Sequence, residues 1–432
     1  MKGKYGAILT LGFALFAMFF GAGNLILPPY IGLISGDKWG VAVIGFFLTA
    51  ILAPFLGILA VVMSGKSFTN LRAYLPEKIG ILIQLLIILC IGPLIAIPRT
   101  GATTFEVGIQ PIFSNFNNIL FAVIFFTIVA FLSISPGKIV DVIGKYLTPT
   151  LIISLFILII WGVAHPVISP EKIALTNKEV FKNSFLDGYQ TLDVLAAVIF
   201  AGIIISTAVE KGFTAISQRI KATIFAGVIA MMALLFIYGG LLYLGAISGY
   251  PLNEETSRTA LLLYISQSIF GVKGAYVVSV AMSLACLTTA IALTSATASF
   301  FQELTCGKMD YKLNVILCCV VSGFFSIMSV DEIIAYAINI LLFIYPIVFS
   351  LIILVVIFSK KVKNKKPYLA GIIATAVISF LGILENLGYG VSIFIEVKNI
   401  IPLSSYSLEW LVPSLFAFVV TALVCGRKRE IA

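Results

Sequence analysis

A chain of 432 residues that is 60% hydrophobic and only 11% charged, with a mean hydropathy of +1.13, is no soluble globular domain. Its 28 Lys and Arg exceed its 19 Asp and Glu, for a net charge of +9. The basic residues fall in short turns between apolar runs. The excess therefore reads as a topological signal and a contact with anionic lipid, not as a nucleic-acid surface.

A bilayer core of roughly 30 Å takes about twenty apolar residues per helix. The chain offers about twelve such runs, near 6–34, 40–64, 79–108, 118–134, 139–164, 188–209, 221–248, 274–302, 312–328, 332–358, 367–386 and 405–425. With the N-terminus inside, 20 of the 28 basic residues fall on the cytoplasmic side, from Lys2 and Lys4 through the Lys360–Lys366 cluster to Arg429. Both termini are thus expected in the cytoplasm, in a multi-pass protein of the cell (inner) membrane. The basic start followed by an apolar run looks like a signal peptide, but the later spans make an uncleaved first helix the expectation. No polar linker divides the chain, so 1–432 reads as one membrane domain.

In the first span, FALFAMFFGAGNLILPPYIGL, Gly21, Gly23 and Asn24 precede Pro28 and Pro29. Glycine and asparagine weaken a helix and each proline removes a donor, so the helix is expected to unwind at mid-membrane. Unwound backbone at that depth is tolerated only against protein or a cavity. In the third span Pro93 and Pro98 predict a kink. Arg99 and Glu106 read as outer-end residues, on nearly one face, that can pair or form part of an outer gate. Segment 165–187 reads as an outer connector.

The sixth span opens GYQTLDVLAA, with Tyr189, Thr191 and Asp193 before an apolar run. Spans one and six head two groups of five, where inverted-repeat carriers place paired broken helices. An ionisable residue such as Asp193 inside a span marks function by default. It can hold an ammonium group, ligate a cation or accept a proton, or else merely cap the helix near the interface. Segment 249–273 can form a short amphipathic helix over the outer face. In the eighth span Ala285, Thr288 and Thr289 share one helical face. Their oxygens suit an alkali cation, although threonine also serves as helix–helix glue. Pro346, in the tenth span, predicts another kink.

Enzyme chemistry finds no footing. There is no HExxH, no Gly-x-Ser-x-Gly, and His165, the only histidine, has no partner at ligand spacing. Ser64-Gly65-Lys66-Ser67 looks like the end of a phosphate loop, but Ala60 stands where its first glycine belongs. The six cysteines occupy no long outer loop, so no disulfide framework is expected. A channel would need a continuous polar path, whereas the polar residues gather at mid-membrane.

The motifs FALFAMFFGAGNLILPP, IGPLIAIPRTGATTFE, GYQTLDVLAA and LACLTTAIALTSA, in that order, resemble the branched-chain amino acid:cation symporter family over essentially the whole chain. The resemblance implies an all-α membrane protein with the LeuT-type arrangement. That is two inverted five-helix repeats, here about 6–164 and 188–358, with broken first and sixth helices and two extra helices at about 367–425. It implies import of leucine, isoleucine or valine with a cation, sodium or in some members a proton. It puts the substrate carboxylate on backbone amides around Ala22 and Gly23, with Asn24 beside them. Tyr189, Thr191 and Asp193 would complete the substrate site. Sodium would be held by the carbonyls of Ala17, Phe20 and Ala285 and the hydroxyls of Thr288 and Thr289. The alternative is a proton-coupled carrier for other neutral amino acids that uses Asp193. The lipid bilayer is the expected environment, with neither nucleic acid nor an obligate protein partner.

Overall fold

The computed structural model describes residues 2–21, 24–65, 71–134, 152–252, 256–389, 398 and 400–425. Ala22, Gly23, the inner part of the expected fifth span (139–151) and the basic tail from Arg427 lie outside them. Among the described residues seven helices are long and apolar enough to cross a bilayer, and five more apolar helices are shorter.

The first span is broken. α1 (Lys2–Phe19) stops just before Gly21, and α2 (Leu27–Ser35) restarts with Pro28 and Pro29 in its first turn, where a missing N–H costs nothing. The second span joins α3 (Trp39–Phe47) to α4 (Ala53–Ser64) through a π turn, Leu48–Leu52. In the third, α5 (Glu77–Leu89) meets a second π turn, Cys90–Leu94, where Gly92 leaves helical geometry beside Pro93. α6 (Ala96–Thr103) follows and runs through a further π turn, Thr104–Ile109. Such turns mark places where a helix bends around a functional centre. α7 (Asn118–Ile134) and α8 (Ile152–Ala164) complete the first group.

The second group also opens on a broken helix. α9 (Asn177–Asp187) passes into a single 3-10 turn, Gly188–Thr191. Leu192 then takes a left-handed conformation (φ +62°) before α10 (Asp193–Glu210) begins. This corrects the reading of 165–187 as a connector: α9 is the outer half of the sixth helix, started by a capping box between Thr176 and Glu179. α11 (Ile216–Ala246) follows. α12 (Arg258–Leu304) is two helices joined at Gly271, whose φ of +68° favours glycine. Its first part is the short helix expected over the outer face. α13 (Tyr311–Phe325) and α14 (Val330–Phe358) end the group, and α15 (Lys365–Asn386) and α16 (Leu411–Val424) are the two extra helices. Pro346 is accommodated within α14 without ending it.

The helices sort into two packed sets. The first, second, sixth and seventh spans (α1 to α4 and α9 to α11) lie against one another; the third, fourth, eighth and ninth (α5 to α7, α12 and α13) form the other set. α2 and α11 cross on glycines. A Cβ at Gly32 would lie 1.7 Å from the Leu242 carbonyl oxygen, and one at Gly245 would lie 1.9 Å from that of Pro29. Only hydrogen side chains allow that approach, which fixes the outer half of the broken first helix.

Candidate functional site

The two breaks face each other. The Asn24 amide, 4% exposed, donates from Nδ2 to both Asp193 carboxylate oxygens, at 3.0 and 3.2 Å. Asp193 is the first residue of α10, so its charge sits at the positive end of the helix. Thr191 holds the turn before it: its hydroxyl donates to the Gly188 carbonyl at 2.9 Å and accepts from the Asp193 backbone N–H at 3.4 Å. Gly188 has no room for a side chain, because a Cβ there would be 1.9 Å from Thr49 Oγ1. The Thr49 hydroxyl in turn donates to the Phe185 carbonyl at 2.8 Å, tying the second helix to the sixth.

Arg99 completes the cluster, and it is not the outer-end residue the sequence suggested. The third span continues to Ile109, ten residues past Arg99 (109 − 99), which places Arg99 about 15 Å below that end. Its guanidinium, 3% exposed, donates through Nη2 to Asn24 Oδ1 at 3.2 Å and through Nη1 to the Gln190 carbonyl. It makes no pair with Glu106, which accepts from Thr259 Oγ1 at 2.6 Å and from the Val330 N–H at 2.8 Å. A guanidinium and a carboxyl group thus share the buried space between the breaks, joined through a single neutral amide. Burying such charges is tolerated only when each is hydrogen-bonded and compensated.

Of the other expected substrate residues, Tyr189 lies outside this network. It stacks on Tyr345 with centroids 3.8 Å apart and an interplanar angle of 15°, and the Tyr345 hydroxyl donates to the Thr49 carbonyl. The tenth span is thereby locked onto the sixth-helix break. Gln190, 1% exposed, leaves Oε1 without a partner among the described residues.

Ala285, Thr288 and Thr289 are brought together on α12. Both hydroxyls donate to the Ala285 carbonyl at 2.9 Å, and all three residues are half-buried. Ala17, on α1, is exposed, and Phe20, just past the end of that helix, is buried. The end of α1 is held elsewhere, by the Tyr238 hydroxyl of α11 donating to the Phe19 carbonyl at 3.2 Å.

Above the site lies a latch. Arg258, at the start of the short outer helix, pairs with Asp331 at the start of α14, and its guanidinium carbon lies 4.0 Å over the Tyr30 ring of α2. With the Glu106 contacts, this ties the outer helix to the first, third and tenth spans. A half-buried pair of this kind contributes roughly 1 kcal/mol. Arg258→Gln with Asp331→Asn is expected to raise by about five-fold the rate at which a membrane-impermeant maleimide, added outside, reaches Cys286, which is buried beside Thr104. An unchanged rate would show that the outer helix is held by its other contacts.

Known proteins place the chain in a family and a fold. The model of a family described as branched-chain amino acid transport protein matches residues 4–428. The chain belongs to that family. It is 33% identical to a Staphylococcus saprophyticus protein named as a branched-chain amino acid carrier, over 97% of both chains. It is 34% identical to a Staphylococcus aureus protein so named, over 96% of both. Among solved structures it is similar to the inward-facing conformation of Mhp1, with a TM-score of 0.66 at 14% identity over 97% of this chain and 90% of that one. A Na+-coupled sialic acid symporter in its substrate-bound outward-open state gives a TM-score of 0.54 at 10% identity over 99% of both chains. These likenesses show the fold, the LeuT-type arrangement with broken first and sixth helices. The protein is a multi-pass membrane carrier and not an enzyme.

Proposed function

We propose that this carrier imports leucine, isoleucine and valine by alternating access, each with a cation, and that the cation is sodium. It would lie in the cell membrane with both termini in the cytoplasm. The observation that carries the reading is Asp193, a fully buried carboxylate at the opening of α10, facing Asn24 between the two breaks. A substrate ammonium is a natural partner for it, and the backbone around Ala22 and Gly23 would meet the carboxylate. Sodium would bind the carbonyls of Ala17, Phe20 and Ala285 with the hydroxyls of Thr288 and Thr289, hard oxygen ligands suited to an alkali ion. The name of the Na+-coupled neighbour supports a co-transported ion. The second reading, proton coupling for neutral amino acids through Asp193, is favoured by the burial of that carboxylate.

One missing methylene is worth about 1–3 kcal/mol in an apolar pocket, so discrimination among the three substrates should be modest. Counterflow in proteoliposomes, with sodium and pH varied separately, tests the whole reading. Leucine, isoleucine and valine should exchange with one another in a sodium-dependent way. Aspartate or lysine competing as well as leucine would overturn it.

A further inference from the structure

We propose that Arg99 joins the first-helix amides in reading the substrate carboxylate, and that the Asn24 amide occupies the place of the substrate's charged head until the substrate displaces it. This rests on the reading of the site as one for an α-amino acid and adds to it a residue, Arg99, that the sequence had placed at the outer end of its helix.

The argument begins with what Asn24 does. Its Nδ2 donates to both Asp193 oxygens, as an ammonium would, and its Oδ1 accepts from Arg99 Nη2, as a carboxylate would. An amide carries its donor and its acceptor on one carbon, and an α-amino acid carries its ammonium and carboxylate on one carbon also. The Asn24 side chain is thus a neutral analogue of the zwitterionic head, seated between fixed charges of the complementary signs.

The energetics favour exchange. Arg99 is 3% exposed, yet the two acceptors its Nη atoms use are neutral, a backbone carbonyl and an amide oxygen. Among the described residues it forms no direct ion pair with Asp193. A guanidinium is built for bidentate pairing with a carboxylate, and charge-assisted bonds of that kind are about twice as strong as neutral ones. A carboxylate arriving at Arg99 and an ammonium arriving at Asp193 replace weaker contacts with stronger ones. A ligand carrying only one of these charges leaves the other side chain without the gain. Asn24 lies inside the break, three residues before α2 opens at Leu27, so its release frees the hinge between α1 and α2. Occupancy is thereby linked to movement of the first helix through differential contacts in the two states.

The test uses purified full-length protein in nanodiscs and displacement of radiolabelled leucine. The ligands are leucine, 3-methylbutylamine, which lacks the carboxylate, and 4-methylpentanoate, which lacks the ammonium. In the wild type, leucine should bind on the order of 100-fold more tightly than 3-methylbutylamine, since a site built to bond a polar group strongly rejects the analogue without it. In Arg99→Gln that ratio should fall to within about three-fold, while the ratio of leucine to 4-methylpentanoate, set by Asp193, persists. Arg99→Lys keeps the charge without the planar fork and should lose about ten-fold of the first ratio. It serves as the readout if Arg99→Gln does not fold. A leucine-to-amine ratio unchanged in either variant overturns the assignment and leaves the carboxylate to the first-helix amides. Absence of leucine binding by the wild type would instead sink the proposed function, so the two failures are told apart.

Discussion

Asp193→Asn is expected to reduce leucine uptake into proteoliposomes by more than about 100-fold while the protein still inserts into the membrane. The carboxylate is 5% exposed and both its oxygens are bonded to Asn24. Replacing it with an amide removes the negative charge that compensates Arg99 through that bridge. Breaking a direct buried pair from one side costs about 3–5 kcal/mol, an upper bound for a charge compensated here through one bridging amide. At about 1.4 kcal/mol per ten-fold, the lower end of that range corresponds to about two orders of magnitude. Stability and binding are separable by a second substitution. The double variant Asp193→Asn/Arg99→Gln should regain thermal stability relative to Asp193→Asn alone, since the orphaned guanidinium is gone, yet it should remain inactive. Uptake by Asp193→Asn at the wild-type level would reduce the residue to a cap for α10.

Much of this architecture is legible in the sequence because the solvent is a bilayer. The fourth span, expected at 118–134, is the helix Asn118–Ile134. The first break follows from Gly21, Asn24 and the proline pair, whose local chemistry no tertiary contact needs to override. The outer half of the sixth helix was less visible because NKEVFKNSFLD is polar and lacks an apolar run. Its signature was nevertheless present in Thr176 and Glu179, three residues apart, the spacing of a capping box.

Arg99 was misplaced for a different reason. Snorkelling arginines at interfaces are common, and Arg99 falls in the last third of the expected span 79–108, close enough to its end for that reading. That its guanidinium turns to Asn24 and to the Gln190 carbonyl is set by the packing of the first and sixth spans against the third, which no local signal encodes. The latch between Arg258 and Asp331 was illegible, since the partners are distant in sequence and only the packing of the outer helix on α14 joins them. Glu106 shows the same limit. Its seven-residue spacing from Arg99 suggested a pair, but its carboxylate bonds Thr259 and Val330 on other elements.

The double substitution Thr288→Ala/Thr289→Ala is expected to abolish the sodium dependence of uptake and to weaken leucine affinity with it, by about ten-fold or more. Each hydroxyl donates its one proton to the Ala285 carbonyl at 2.9 Å, so its lone pairs stay available to a cation. None of these oxygens titrates near neutral pH, so the cluster can replace the water shell of an alkali ion but cannot carry a proton. Sodium placed there would bridge the end of α1 to α12, across the two packed sets of helices. It would favour the substrate-competent state by its differential affinity for that state, and linkage requires the substrate to strengthen sodium binding by the same factor. Losing the hydroxyls therefore removes both effects together, which distinguishes coupling from a packing defect that weakens substrate binding equally at all sodium concentrations. Proton coupling would have to use a carboxylate, and Asp193 is the one held between the two breaks. The measurement is uptake by the double threonine variant and by Asp193→Glu, which keeps a carboxylate at a shifted position, each against sodium concentration and against pH. Normal sodium activation in the threonine variant, joined to an altered pH profile in Asp193→Glu, would transfer the coupling from the eighth helix to the carboxylate.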